Sequence, residues 1–165
     1  FDFNFQIYNR SEEGISVKTA KDFFLENIAS MEPEGVIVHL GDKDINMLKT
    51  SGADFDKYYL DLISSIKEVN KKCRLAFVSV NNPNNDKTIA EMNRHIKALA
   101  DSERAVFINL DNAKLWNPKA AKAAISFAHN MGLKVRKPLT DVAEILYSYA
   151  YTEIKPETIA TELVG

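Results

Sequence analysis

Two short runs, Gly35 to Leu40 (GVIVHL) and Arg74 to Val80 (RLAFVSV), are apolar at nearly every position. A strand with apolar side chains on both faces must be covered on both, as strands of a parallel sheet are when helical crossovers wrap them. Between the two runs, Phe55, Tyr59, Leu62, Ile63, Ile66 and Val69 fall on one side of a helix over about residues 53 to 70. That length suits a crossover connecting parallel strands. A third apolar run, Ala105 to Leu110, follows a helical pattern carried by Ile89, Met92, Ile96 and Leu99. The chain therefore reads as α/β, a three-layer α/β/α sandwich in which a parallel sheet lies between helices.

The remaining segments extend this rhythm. Phe3, Phe5 and Ile7 alternate with Asn4, Gln6 and Tyr8, the period of an edge strand over residues 3 to 8 with one solvated face. Ala20, Phe23, Phe24 and Ile28 predict a helix over about 17 to 30, stopped by Pro33 and Gly35. Further on, Asn117 and Pro118 open a helix that Gly132 would close, residues 133 to 135 suggest a short strand, and helices are expected over about 138 to 151 and 155 to 163. No repeat, low-complexity tract or linker divides the 165 residues, so a single domain spanning 1 to 165 is expected.

Composition narrows the function classes. With 21 basic and 23 acidic side chains the net charge is -2, which creates no field favouring nucleic acid or an anionic membrane, and neither is expected as a partner. No apolar run approaches the roughly 18 to 20 residues that cross a bilayer. Residues 1 to 10 lack the pattern of a signal peptide, and the lone Cys73 has no partner for an internal disulfide, so a cytoplasmic location is expected. Sequences that mark nucleotide, zinc or nucleophile-elbow sites (GxGxxG, GxxxxGK[ST], HExxH, CxxC, GxSxG) do not occur, and no cofactor or metal is expected.

What remains for chemistry is the carboxyl edge of the sheet, where ligands of such folds bind. Three polar loops should meet there: Asn9 to Gly14, Gly41 to Asp44, and Asn81 to Asp86. Asp42, Lys43 and Asp44 read either as a ligand-binding triplet or as a solvated turn of compensating charge. The amides of Asn81 and Asn82 suit sugar hydroxyls, although a loop of this composition equally serves as a turn with an N-cap. Trp116 is a candidate stacking surface or a packing anchor. Ser11 reads as a turn residue, and His39, His95 and His129 sit in a strand and helices, where structural or surface roles are expected.

The chain resembles the SGNH (GDSL-like) hydrolases. Tyr8-Asn9-Arg10 leading to Gly14 is similar to that family's glycine-bearing second block, and Val36 to Asp44 (VIVHLGDKD) to its third block, with similar separation. The resemblance implies a flavodoxin-like fold, and together with the amides of the third strand-end loop it gives a substrate-binding set of Asn9, Gly14, Gly41, Asp42, Lys43, Asp44, Asn81, Asn82 and Lys134, directed at a small molecule or carbohydrate. It also exposes departures. No GDS occurs, so the nucleophile-bearing strand would lie before Phe1 or not exist; Lys43 stands where the family has its oxyanion-hole Asn; and Met131-Gly132-Leu133-Lys134 replaces the terminal Asp-x-x-His. A serine without an adjacent base is a poor nucleophile, so a binding or accessory module is expected, and an active esterase is the alternative. A strand missing from the family pattern would leave a gap in the sheet that a partner chain or oligomer could fill.

Overall fold

The computed structural model describes residues 8–110 together with Ala123, Ser126, Phe127 and Asn130. In chain order it contains α1 (Val17–Asn27), a 3-10 turn (Ala29–Met31), β1 (Gly35–Val38), α2 (Ile45–Thr50), α3 (Gly52–Val69), β2 (Arg74–Val78), α4 (Lys87–Ser102) and β3 (Val106–Ile108). The strands form a parallel sheet in the order β1-β2-β3, with Val36 opposite Leu75 and Phe77 opposite Phe107. The chain is thus α/β, with each strand-to-strand connection made through a helix.

Alternation along the strands divides the core in two. Val36, Val38, Leu75, Phe77 and Phe107 join the larger cluster with α1, α3 and α4, which therefore share one side of the sheet. Ala76, Val78 and Ile108 point the other way and meet Phe127 and Ala123, two helical residues of the later chain. Ile37 belongs to that second face but is 59% exposed, whereas its in-register neighbour Ala76 is fully buried. Among the described residues β1 is the end strand, which explains the difference.

Local chemistry sets the helix ends. Ser51 accepts the Asp54 N–H through its hydroxyl at the start of α3, and the Asp86 carboxylate accepts the N–H groups of Thr88 and Ile89 at the start of α4. At the end of α4, Ala105 N–H bonds Ala100 O at 2.8 Å while Arg104 sits in the left-handed region at φ 55°, a Schellman closure built without glycine. The helix expected to reach residue 30 ends at Asn27, and the chain then tightens into the 3-10 turn with Glu32 left-handed. The strands are also shorter than their apolar runs, because the chain leaves the ladder after Val38, Val78 and Ile108 to form the strand-end loops. Helix α2 carries too short a pattern to be read from sequence. Residues 3 to 7 and the expected elements from 117 onward lie outside the described residues, apart from the four named above. Among the described residues no helix is long and apolar enough to cross a membrane.

Candidate strand-end site

Gly41 is the pivot of the carboxyl edge. Its φ of 129° is one that side-chain-bearing residues rarely adopt, and a Cβ built there would stand 2.7 Å from Met92 Sδ and 3.0 Å from Val80 Cγ2. The turn after β1 is therefore seated directly on α4 and on the end of β2. This close approach brings Gly41–Asp44 beside the loop that begins at Asn81. Asp42 and Lys43 project from the turn, both exposed, with Lys43 Nζ 4.0 Å from Asp42 Oδ2.

Asp44 behaves differently. It is 2% exposed, and its Oδ2 accepts the Val17 N–H at 3.1 Å, tying the first turn of α1 to the β1–α2 loop. Burial pushes its carboxyl above the usual carboxylate range; the Val17 bond opposes this and nearby Asp42 adds to it. Its backbone meanwhile starts α2, accepting the Leu48 N–H.

The β2–α4 loop is organised by side-chain amides. Asn82 is buried and spans the turn, accepting Asp86 N–H at 2.7 Å and donating to Asp86 O at 2.9 Å. Asn93, reaching from α4, accepts the Val80 N–H at 2.7 Å and donates to Val80 O at 2.8 Å. Ser79 Oγ accepts the Leu110 N–H at 2.7 Å and donates to Asn109 Oδ1 at 3.4 Å. These bonds satisfy buried polar groups just where the sheet ladder stops. Asn81 stays exposed between them.

The expected site residues therefore separate by role. Gly41, Asp44 and Asn82 are buried in the framework, while Asp42, Lys43 and Asn81 face solvent on the rim. Asn9 and Gly14 lie in the exposed loop that leads to α1; Asn9 Oδ1 accepts the Ser11 N–H, an Asx turn, and Gly14 takes a φ of 89°. Lys134 and Trp116 lie outside the described residues. Ser79 and Asn93 were not foreseen. A polar residue inside the otherwise apolar stripe of α4 was the one signal that could have found Asn93.

Among the described residues no serine hydroxyl is hydrogen-bonded to a histidine. His39 is exposed, and His95 Nδ1 lies 2.8 Å from Asp56 Oδ1, bridging α4 to α3. No group of three His, Cys, Asp or Glu side chains among the described residues could hold a metal ion. Compared with family models, curated proteins and solved structures, the chain gives no match.

Proposed function

We propose that this chain is a non-catalytic binding or accessory domain of SGNH-hydrolase-like, flavodoxin-like three-layer architecture. On this reading its rim binds a small hydroxylated ligand of carbohydrate type. The observation that carries the proposal is the exposed trio Asp42, Lys43 and Asn81, set around the buried Gly41 turn at the sheet's carboxyl edge. Carboxylate, ammonium and amide together offer both donors and acceptors, which polyol recognition requires. The layer arrangement is supported by α1, α3 and α4 sharing one face while Phe127 packs on the other. Crossovers of one hand that step in one direction put their helices on a single face, so a helix on the opposite face suits a doubly wound sheet. A cytoplasmic setting accords with the lone, buried Cys73.

The non-catalytic part rests on the sequence: no GDS occurs, and Met131-Gly132-Leu133-Lys134 stands where the resemblance puts the Asp-x-x-His that would supply the base. Loss of general-base assistance alone forfeits typically 10² to 10⁴-fold in rate. Ester turnover on activated acetyl esters is therefore expected to match a protein control for the wild type, Lys134→Ala and Ser11→Ala. Robust turnover that disappears in either variant would establish an ester hydrolase instead. For binding, calorimetric titration against a panel of mono- and oligosaccharides should give a saturable isotherm that Asp42→Ala with Asn81→Ala weakens at least about tenfold, the equivalent of about 1.4 kcal/mol. No binding anywhere in the panel would remove carbohydrate as the ligand.

A further inference from the structure

The loop that leads into α1 carries a pattern that the rim does not use. Asn9-Arg10-Ser11 is an Asn-x-Ser triplet whose middle residue is not proline, and no other Asn-x-Ser or Asn-x-Thr occurs in the sequence. Such a triplet is the acceptor pattern for N-linked sugars, provided that it lies on a surface loop. Residues 8–14 are all exposed, and a Cβ built at Gly14 would meet nothing within 4 Å, so the loop stands clear of the body. Local bonds then arrange the triplet. Asn9 Oδ1 accepts the Ser11 N–H at 2.9 Å, folding the carboxamide back beside Ser11. Arg10 is taken up elsewhere, its guanidinium 5.6 Å from the Tyr8 ring centroid and 3.9 Å from Met31 Sδ. Among the described residues Asn9 Nδ2 and the Ser11 hydroxyl make no hydrogen bond.

We propose that Asn9 is an acceptor for N-linked glycosylation, its amide presented by the turn it makes with Ser11. A carboxamide nitrogen is a weak nucleophile, because its lone pair is delocalised into the carbonyl. The Ser11 N–H draws electron density onto Oδ1, which makes the Nδ2 hydrogens more acidic. The co-reactant is a sugar activated as a phosphate or pyrophosphate ester, brought by its transferase. Nδ2 attacks the anomeric carbon, and an N–C bond forms as the C–O bond to the phosphate breaks. The phosphate leaves with the electron pair, and Nδ2 gives up one proton to a base of the transferase. Native use of the site requires the chain to meet such a donor in a glycosylating compartment. Cys73 sets no obstacle to that, since a lone thiol that is 1% exposed is inert in either redox setting. The inference rests on the loop alone and is independent of what the rim binds.

The purified, folded chain provides the test, incubated with a solubilised oligosaccharyltransferase and its lipid-linked sugar donor beside a short Asn-x-Ser control peptide. Intact-mass measurement should show one glycan added to wild type, and peptide mapping should place it on Asn9. The increment should be lost in Asn9→Gln and in Ser11→Ala. Ser11→Ala keeps the backbone N–H and with it the bond to Asn9 Oδ1, so its loss of glycan separates acceptor chemistry from loop shape. Ser11→Thr should raise the modified fraction, because its second Cβ substituent narrows the rotamers open to the hydroxyl. All four proteins should melt at the same temperature, since every side chain changed is exposed. An unmodified wild type in a reaction that glycosylates the control peptide would overturn the proposal. So would a glycan that persists in Asn9→Gln.

Discussion

Removing the Asn93 amide should unfasten the end of β2. In the Asn93→Leu variant the branched heavy-atom shape is kept, but Val80 loses both of its partners, the acceptor at 2.7 Å and the donor at 2.8 Å. Val80 is itself buried, so water does not readily replace them. An unsatisfied buried polar group costs about 1–3 kcal/mol, and two of them about 2–6 kcal/mol, while the added apolar surface returns about 1 kcal/mol. The net loss is about 1–5 kcal/mol, centred near 3. At a urea dependence of about 2 kcal/mol per molar, the unfolding midpoint falls by about 1.5 M. Amide exchange at Val80 should accelerate more than at amides within β2. A midpoint shift below about 0.3 M with an unchanged slope would refute the reasoning, because it would mean that Val80 does not depend on Asn93. The Asn93→Asp variant sharpens the test. Its acid form can still donate to Val80 O, whereas its anion sets charge against that carbonyl in a buried place. Burial raises such a carboxyl, so the variant should approach wild type in acid and lose stability as pH rises.

Three further outcomes follow from the same framework. Gly41→Ala combines a left-handed φ with contacts of 2.7 and 3.0 Å to Met92 and Val80, and should cost about 2–4 kcal/mol in urea unfolding. Tyr59 is fully buried against Phe55 and Phe77, and among the described residues its hydroxyl has no hydrogen-bond partner, so Tyr59→Phe should be neutral or stabilise by about 1 kcal/mol in the same assay. Asp44→Asn should raise the melting temperature at pH 7, with the gain shrinking toward pH 4.

The fold was legible where burial follows a simple period. RLAFVSV declared itself as a parallel strand because both faces of β2 lie under other elements; GVIVHL carries the same pattern, although among the described residues only its Val36 and Val38 face is covered and Ile37 is exposed. The helices over 52–69 and 87–102 extend no more than three residues beyond their apolar stripes. The strand ends were less legible. Val80 and Leu40 are apolar like most of the strand residues before Ser79 and His39, yet Val80 bonds to a side chain from α4, a contact 13 residues away that no periodicity encodes. The end of α4 hid for a related reason, since Arg104 fills the left-handed position where a glycine would have been the signal. At the rim, residue type pointed to Asp42 through Asp44 as one unit. The fold separates them, because Asp44 turns inward to Val17 while Asp42 and Lys43 stay in water. That division depends on α1 packing near the β1 turn, and sequence spacing alone says nothing of it.

Asp44 offers a way to ask whether the rim serves binding at the expense of stability. Its Oδ2 accepts one backbone N–H, a duty the amide oxygen of asparagine performs equally well without charge. The carboxylate is held above its ordinary value of 3.8, chiefly by burial, with Asp42 adding repulsion. A raised folded-state value means that the native state binds the proton more tightly than the unfolded chain. The stabilising contribution is therefore full below the ordinary range and lost as pH rises through the folded value, so at neutral pH ionisation of Asp44 opposes folding. Asparagine escapes that cost, which is why Asp44→Asn should gain stability at pH 7 and match wild type once Asp44 is protonated. If the anion is kept to position the turn that carries Asp42 and Lys43, the same variant should bind sugars more weakly while being more stable, the trade expected where a site's framework retains a costly charge. A variant less stable than wild type by the same margin at pH 4 and pH 7 would show that the carboxylate is simply the better cap for α1.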